Sequence, residues 1–290
     1  MKTLYATDLD GTLLDPTAHL SKYSAEILNK LKSQGALITF VTARTPATIE
    51  PILSRALPDI PGVAMTGATL WNPSTRQYEM VTYHQRADVE IILEICLRHG
   101  VTPFVYTLPI GTNGLVVYHS APVMSKLENK FVADRTLNDL KTFKLSHAVP
   151  DADMDIVVLF FAMGDPQGIR LTARDIISNT DCYASWYPDT YHPGVALLEV
   201  FKSGVSKAKG LQLLRQMVGA DRVVAFGDNL NDIPMLQAAD LAVAVDNAYP
   251  EVKEVADVVI GASYHDAVAH FIDEDFHAAC DSQPPIYSES

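Results

Sequence analysis

This chain is constrained most by a stretch near its N-terminus, residues 7–14, with the sequence TDLDGTLL. It follows the apolar run Leu4–Ala6, which is typical of a short buried strand, and Gly11 indicates a turn. Residues two apart on an extended backbone point to the same side, so Asp8 and Asp10 are expected to face the same space. Two carboxylates that close repel each other unless a cation or a shared proton compensates. The stretch therefore indicates either a metal-assisted site or, taken alone, a solvated turn.

The composition of the 290 residues limits the classes of partner. Hydrophobic residues make up 48% and charged residues 20%, which allows a sizeable core and argues against global disorder. The formal net charge of −13 disfavours nucleic acid and anionic membranes as partners, because both require a basic surface. A small phosphorylated molecule stays possible, because overall charge is screened beyond about 8 Å and local groups then decide.

Several features predict a cytoplasmic protein. The three cysteines, Cys96, Cys182 and Cys280, are far apart and lack zinc-ligand spacing, which suits a reducing compartment. The N-terminus leads into a strand without the pattern of a signal peptide. The longest apolar run, Ile156–Met163, is the size of a strand and falls far short of the ~20 residues that a membrane span needs.

Strands and helices alternate at both ends of the chain, whereas strands outnumber helices in the middle. The alternation predicts an α/β core with a doubly wound, Rossmann-like parallel sheet, and the middle predicts an inserted α+β domain with an antiparallel sheet. We predict strands at Ala196–Phe201 and Leu241–Val245, a polar connection between Ala133 and Met154, and a last helix at His265–Ile272. The predicted domains are a core over 1–82 and 202–273, an insert over 83–201, and a flexible acidic tail over 274–290.

Polar clusters fall where strands pass into helices or just inside the next helix. Ligands of an open parallel sheet gather beyond the carboxyl ends of its strands. Acidic oxygens that converge there suit Mg²⁺, a helix N-terminus favours an anion, and a lysine supplies positive charge. These are the components that phosphoryl transfer requires, because its catalysis is mainly positioning and charge stabilisation. In chain order, the clusters are Asp8 with Asp10, then Thr42, then Lys207, and last Asp228 with Asn231 and Asp232.

The chain resembles phosphatases of the haloacid dehalogenase (HAD) superfamily, and specifically the Cof-type branch (subfamily IIB) with an α/β cap. The four motifs occur in the family's order over nearly the whole chain except the tail. They are residues 8–14 (DLDGTLL), 40–44 (FVTAR), 204–207 (GVSK) and 227–236 (GDNLNDIPML), and the stretch 243–253 also resembles this branch. In two departures, Ala43 stands where Gly is usual and Thr66-Gly67-Ala68 replaces Asn-Gly-Ala. Neither departure removes a catalytic group, and both bear on access or substrate preference.

The resemblance implies a catalytic role for each acid. Asp8 is the implied nucleophile, which attacks phosphorus to give an aspartyl-phosphate. Asp10 is implied to protonate the leaving oxygen and then to take a proton from the attacking water. Mg²⁺ would be held by Asp8, the Asp10 carbonyl oxygen and Asp228. Asp232 completes the implied metal site, where it orients Lys207 or a metal-bound water.

The resemblance also implies which residues bind the phosphoryl group and the substrate, namely Thr42, Arg44, Lys207 and Asn231. Each has a simpler interpretation when taken alone. Thr42 would be a strand-end hydroxyl bonded to backbone, and Lys207 an exposed helix lysine. Arg44 would pair with an acid. In the same way, Asp232 would cap its helix.

These inferences predict a Mg²⁺-dependent phosphatase acting on a small phosphorylated metabolite, such as a sugar phosphate, a nucleotide or a cofactor phosphate. The insert is expected to close over the core, exclude bulk water and select the leaving group. Two alternatives stay open, a phosphomutase and a non-catalytic phosphometabolite-binding protein on the same scaffold. A calcium-binding EF-hand is excluded, because Leu13 stands where that loop needs its glycine. The sequence leaves the oligomeric state undetermined.

Overall fold

The computed structural model of the protein describes residues 2–189 and 192–281. The strands are β1 (Thr3–Thr7), β2 (Leu37–Phe40), β3 (Gly62–Ala64), β4 (Thr69–Asn72), β5 (Gln77–Val81), β6 (Phe104–Thr107), β7 (Leu115–His119), β8 (Lys141–Leu145), β9 (Val157–Gly164), β10 (Tyr183–Pro188), β11 (Ala196–Phe201), β12 (Arg222–Gly227), β13 (Leu241–Val245) and β14 (Val258–Ile260). The α-helices are α1 (Lys22–Ser33), α2 (Pro46–Ile52), α3 (Arg86–Arg98), α4 (Lys126–Ala133), α5 (Pro166–Asn179), α6 (Lys207–Val218), α7 (Ile233–Gln237), α8 (Pro250–Val255) and α9 (Ala267–Asp281).

The chain divides into two compact units. The first consists of Met1–Ala43, Ile52–Thr75 and Ser206–Ser290, and the second of Arg44–Pro51 and Arg76–Val205. The predicted insert over 83–201 lies within the second unit, which begins earlier and ends later. The segment Arg44–Pro51 belongs to the second unit, because it forms an ion pair and a hydrogen bond with other residues of that unit. Arg76 Nε lies 2.8 Å from Glu50 Oε1, and the Asn138 side-chain amide donates to the Ala47 carbonyl at 3.1 Å.

The first unit contains a five-stranded parallel sheet in the order β14-β13-β12-β1-β2. The interior strand β1, between β12 and β2, has Leu4, Tyr5 and Ala6 buried, as expected for a parallel strand whose two faces are both covered. Thr7 is level with Phe226 on one side and with Phe40 on the other. The carboxyl ends of three neighbouring strands therefore coincide. The predicted doubly wound α/β core is confirmed.

The second unit contains a six-stranded sheet in the order β10-β11-β9-β6-β7-β8, with α3 and α5 packed on one face. Most neighbouring strands are antiparallel, but β7 and β8 run parallel. The predicted antiparallel sheet of the insert is confirmed, with β8 added in parallel at one edge. Strand β8 lies inside the stretch predicted to be a polar connection. Its most buried residue is Lys141, so the usual apolar signal of a strand is missing there.

The last helix, α9, extends to Asp281, beyond its predicted end at Ile272. Residues 274–281 of the predicted tail thus lie in this helix, and residues 282–290 lie outside the described residues. Asp275 explains the extension, because it accepts two hydrogen bonds from Arg222, at 2.6 and 3.0 Å, and a third from the Tyr5 hydroxyl at 2.8 Å.

In the described part of the chain, no helix combines the length and the apolar character that crossing a membrane requires.

The contacts of Asp275 give a stability prediction. We expect Asp275→Ala to lower the free energy of unfolding by about 1–3 kcal/mol, because it leaves the partly buried Arg222 without its carboxylate. The exposed neighbour Glu274 is the matched control, and Glu274→Ala is expected to change it by less than about 0.5 kcal/mol. Urea denaturation followed by circular dichroism measures both. Equal, negligible effects would mean that the end of α9 is not held in solution.

Candidate active site

The carboxyl edge of the parallel sheet brings together polar residues from distant parts of the chain. Asp8 directly follows β1, Asp228 directly follows β12, and Lys207 is the first residue of α6. Main-chain hydrogen bonds continue past the strand ends. The Asp8 amide donates to the Phe226 carbonyl at 2.9 Å, and the Val41 amide donates to the Thr7 carbonyl at 2.8 Å. The predicted convergence at this edge is therefore observed for Asp8, Lys207, Asp228 and Asp232.

Lys207 lies between two carboxylates in the interior. Its ammonium group donates to Asp8 Oδ1 at 2.8 Å and to Asp232 Oδ1 at 2.6 Å. The exposed fractions of Lys207, Asp8 and Asp232 are 2%, 5% and 0%. An ion pair removed from water in this way is costly to break, by roughly 3–5 kcal/mol, because the remaining charge stays buried and unpaired. Lys207 is therefore not the exposed helix lysine of the simpler interpretation.

Asp232 organises the loop that follows β12. Its Oδ2 atom accepts hydrogen bonds from the backbone amides of Asp228 and Asn229, at 3.1 and 3.0 Å, while Oδ1 contacts Lys207. Together with Asn229 it forms a capping box at the start of the short helical turn Leu230–Asp232. Asp232 thus caps the turn and orients Lys207 at once, so the two sequence interpretations are not alternatives.

Asp228 is held by groups from the opening stretch. The Thr12 hydroxyl donates to Asp228 Oδ1 at 2.8 Å. Gly11 lies so close that a Cβ atom built on it would be 2.4 Å from Asp228 Oδ2, and its φ of +75° is in the left-handed region. The Asn247 side-chain amide in turn donates to the Gly11 carbonyl at 2.7 Å. The sequence argument missed the supporting roles of Thr12 and Asn247, although both lie in stretches it singled out.

Negative charge exceeds positive charge among the buried groups of this site. Burial raises the pKa of Asp8 to about 8, helped by the charges of Asp232 and Asp228 and opposed by Lys207. Burial also raises the pKa of Asp228 to about 6, against the hydrogen bond from Thr12. The pKa of Lys207 is raised as well, because Asp8 and Asp232 outweigh the effect of its burial. The protein alone therefore leaves these carboxylates undercompensated.

The donor set fits a hard divalent cation. Carboxylate oxygens of Asp8, Asp228 and Asp232 lie within 4.8 Å of one another. Oxygen-only donors suit Mg²⁺, and a dication would supply the positive charge that the site lacks. Asp10 follows Asp8 in an exposed, non-helical part of the turn, with φ −71° and ψ 122°. Its predicted part in metal binding, through its carbonyl oxygen, stays a prediction.

The predicted substrate-binding residues differ in their setting. Thr42 is 1% exposed, with its amide donating to the Val63 carbonyl and its carbonyl accepting from the Thr66 amide. Asn231 is exposed in the loop after β12. Arg44 is half-buried and belongs to the second unit. The substrate contacts of all three stay predictions.

The departure from the family's motif at Thr66 lies in a segment whose backbone adopts the left-handed conformation. Met65, Thr66 and Gly67 have φ values of +51°, +58° and +100°. A Cβ atom on Gly67 would lie 2.2 Å from the Ser206 carbonyl oxygen, so the backbone closely approaches the start of α6. Asn tolerates the left-handed region better than the β-branched Thr does. The usual Asn therefore suits this conformation, and Thr66 adopts it with strain.

Comparisons with known proteins agree with this geometry. A family model described as haloacid dehalogenase-like hydrolase matches residues 5–272. The chain is 25% identical over 276 residues to a 5-amino-6-(5-phospho-D-ribitylamino)uracil phosphatase of Bacillus subtilis, covering 94% of this chain and 97% of that protein. It is 27% identical over 277 residues to a pyridoxal phosphate phosphatase of Escherichia coli, covering 92% of this chain and 96% of that protein. A solved sugar phosphatase of HAD subclass IIB shares the fold, with a TM-score of 0.70 and 20% identity. The match covers 95% of this chain and 99% of that protein.

The close approach of Gly11 to Asp228 gives a second prediction. Gly11 and Gly35 both have positive φ, +75° and +94°, but a Cβ atom at Gly35 would meet nothing within 4 Å. Each substitution to Ala is expected to lower the free energy of unfolding by about 1–2 kcal/mol, because the backbone is in the left-handed region. Gly11→Ala is expected to lower it by at least about 1 kcal/mol more, because its methyl group displaces the Asp228 carboxylate. Urea denaturation compares the two variants, and equal losses would contradict the observed contact.

Proposed function

This chain belongs to the haloacid dehalogenase-like hydrolase family, and on that premise we propose that it hydrolyses small phosphorylated metabolites in a Mg²⁺-dependent reaction through an aspartyl-phosphate. The resemblance of its motifs to this superfamily is confirmed, and the chain is a HAD-type phosphoric monoester hydrolase. One observation carries the proposal of mechanism. Lys207 is buried between Asp8 and Asp232, with the Asp228 carboxylate beside them.

In the proposed first step, Asp8 attacks phosphorus. Lys207 engages Oδ1 of Asp8, which leaves Oδ2 to form the new bond to phosphorus. As that bond forms, the bond from phosphorus to the leaving oxygen breaks, and Asp10 donates a proton to that oxygen. Lys207 holds Asp8 in one orientation and offsets its charge as the phosphoryl group approaches.

In the proposed second step, a water molecule attacks the same phosphorus atom. Asp10, now a carboxylate, takes a proton from that water, and the bond between phosphorus and Asp8 breaks. Inorganic phosphate leaves, and Asp8 and Asp10 return to their starting protonation states. Thr42 and Lys207 are proposed to hold phosphoryl oxygens through both steps, with Asn231 and Arg44 contacting the substrate.

Asp8, Asp228 and the Asp10 carbonyl oxygen would hold Mg²⁺, with Asp232 orienting the groups around it. When bound, Mg²⁺ supplies positive charge that offsets the carboxylates and the oxygens of the transferred group. The raised pKa values of Asp8 and Asp228 support this assignment, because both carboxylates lack compensating charge. Asp232 itself is already committed to Lys207 and two backbone amides.

The substrate class rests on the relatives. Two of them are named for phosphatase activity on pyridoxal phosphate and on a phosphorylated ribitylamino-uracil. We propose a sugar phosphate, a nucleotide or a cofactor phosphate for this chain, and no nucleic acid as a partner. We also propose that the chain divides into a core over 1–82 and 202–273 and a cap over 83–201, and that the cap chooses the substrate. A cytoplasmic location is part of the same proposal.

A phosphate-release screen over many phosphorylated metabolites tests this function. We expect Mg²⁺-dependent release that EDTA abolishes, and Asp8→Asn is expected to lower kcat by at least about 10³-fold, because the amide cannot serve as the nucleophile. Asp59→Asn, an exposed aspartate of the same unit, is the matched control and should leave the rate unchanged. Circular dichroism shows whether each variant is folded.

The outcomes separate the alternatives. An isomerised phosphosugar in place of free phosphate would identify a phosphomutase. Saturable binding of phosphometabolites without turnover by the native protein would identify a binding protein. Rates for Asp8→Asn close to those of the native enzyme would contradict the proposed nucleophile.

A further inference from the structure

The loop that follows β13 has no part in the proposed reaction, although it lies at the same edge of the parallel sheet. Strand β13 pairs with β12, and Gly227 is level with Ala244, so the loops that follow these two strands are neighbours. Asn247 belongs to the loop after β13 and to the stretch 243–253 that resembles the Cof-type branch. It therefore lies beside the loop that carries Asp228.

Both ends of the Asn247 side-chain amide form hydrogen bonds. Its Nδ2 atom donates to the Gly11 carbonyl at 2.7 Å, and its Oδ1 atom accepts from the Ser263 backbone amide at 2.8 Å. Only this orientation of the amide gives a donor to the carbonyl and an acceptor to the N–H group. Because its oxygen is held by Ser263, the amide has a defined orientation toward Gly11.

The two residues that follow Asp10 are packed against the Asp228 carboxylate. A Cβ atom built on Gly11 would lie 2.4 Å from Asp228 Oδ2, so Gly11 lies directly against that oxygen. The Thr12 hydroxyl donates to Asp228 Oδ1 at 2.8 Å. Gly11 and Thr12 thus contact both oxygens of this carboxylate, and the Gly11 carbonyl that joins them is held by Asn247.

The loop after β13 also contacts the main chain of Asp228. The Tyr249 amide donates to the Asp228 carbonyl at 2.9 Å, so the loop bonds to both sides of the contact between Gly11 and Asp228. The Asn247 amide is neutral, and it therefore adds no positive charge that would oppose a dication beside Asp228. Asn247 is also exposed, so its expected effect is on the geometry of the site more than on the stability of the fold.

We propose that Asn247 is a positioning residue for the metal site, an inference that rests on the proposed function. It fixes the peptide between Gly11 and Thr12, which keeps the Thr12 hydroxyl on Asp228 Oδ1 and presents the carboxylate in the orientation that binds Mg²⁺. Removal of a residue that orients a metal ligand typically weakens metal binding by about 10–100-fold.

Isothermal titration calorimetry of the substrate-free protein with Mg²⁺ tests the proposal. Asn247→Ala is expected to weaken Mg²⁺ binding by at least about tenfold, because the peptide between Gly11 and Thr12 is no longer fixed. Asn247→Gln keeps the amide but displaces it by one methylene group, so it should weaken binding in the same direction. Circular dichroism shows that each variant is folded.

Asn29→Ala is the matched control. The Asn29 side-chain amide donates to the Arg55 carbonyl at 2.7 Å in the same unit, outside the stretches that form the site. This variant therefore loses a hydrogen bond of the same kind and length as Asn247→Ala does. It should bind Mg²⁺ with the affinity of the native protein.

A double variant tests the route through Thr12. Thr12→Val keeps the branched shape and removes the hydroxyl. In this background Asn247→Ala is expected to weaken Mg²⁺ binding by less than about threefold, because the hydrogen bond that Asn247 keeps in place is already absent.

Native Mg²⁺ affinity in both Asn247 variants, an equal loss of affinity in Asn29→Ala, or additive losses in the double variant would overturn the positioning role and leave the proposed function intact. A native protein that binds no Mg²⁺ would overturn the proposed Mg²⁺-dependent function together with this inference.

Discussion

The buried ammonium group of Lys207 is the interaction on which the site depends. It holds Asp8, at the end of β1, against Asp232, which in turn fixes the loop carrying Asp228. The close packing of α6 allows Lys207 to contact both Asp8 and Asp232. A Cβ atom on Gly210 would lie 2.5 Å from Val63 Cγ1, and Gly67 approaches the Ser206 backbone. Glycine at these contacts lets the helix that begins with Lys207 sit close to the sheet.

This arrangement explains why the site has the character of a catalyst more than of a structural ion cluster. Asp8 and Asp232 contact one lysine, the Asp228 carboxylate lies near theirs, and burial raises the pKa of Asp8 and of Asp228. A site optimised for stability alone would balance its buried charges. A bound cation would correct this excess of carboxylate, and one of these carboxylates belongs to Asp8, the proposed nucleophile. Stability and reactivity are therefore set by the same few contacts.

Much of the fold was predictable because its signals are local. Strands β11 and β13 begin and end at the predicted residues, since both are apolar runs bounded by turns. Strand β8 was not predictable, because its buried position is a lysine whose partners come from β6 and its own strand. The length of α9 depends on Asp275 meeting Arg222 and Tyr5, which are distant in sequence. Motif order brought Asp8, Lys207 and Asp228 to one place, but it gave no indication that Thr12 and Asn247 support them.

The central claim, that Asp8 becomes phosphorylated, is tested most directly by trapping the intermediate. The Asp10→Asn variant is mixed with para-nitrophenyl phosphate, whose leaving group needs little protonation, and is then quenched in acid. Loss of the general base slows hydrolysis more than phosphorylation, so the phosphoenzyme should accumulate. Peptide mass spectrometry should find the phosphoryl group on Asp8. A phosphoryl group on another residue, or turnover of the substrate without any phosphopeptide, would contradict the account.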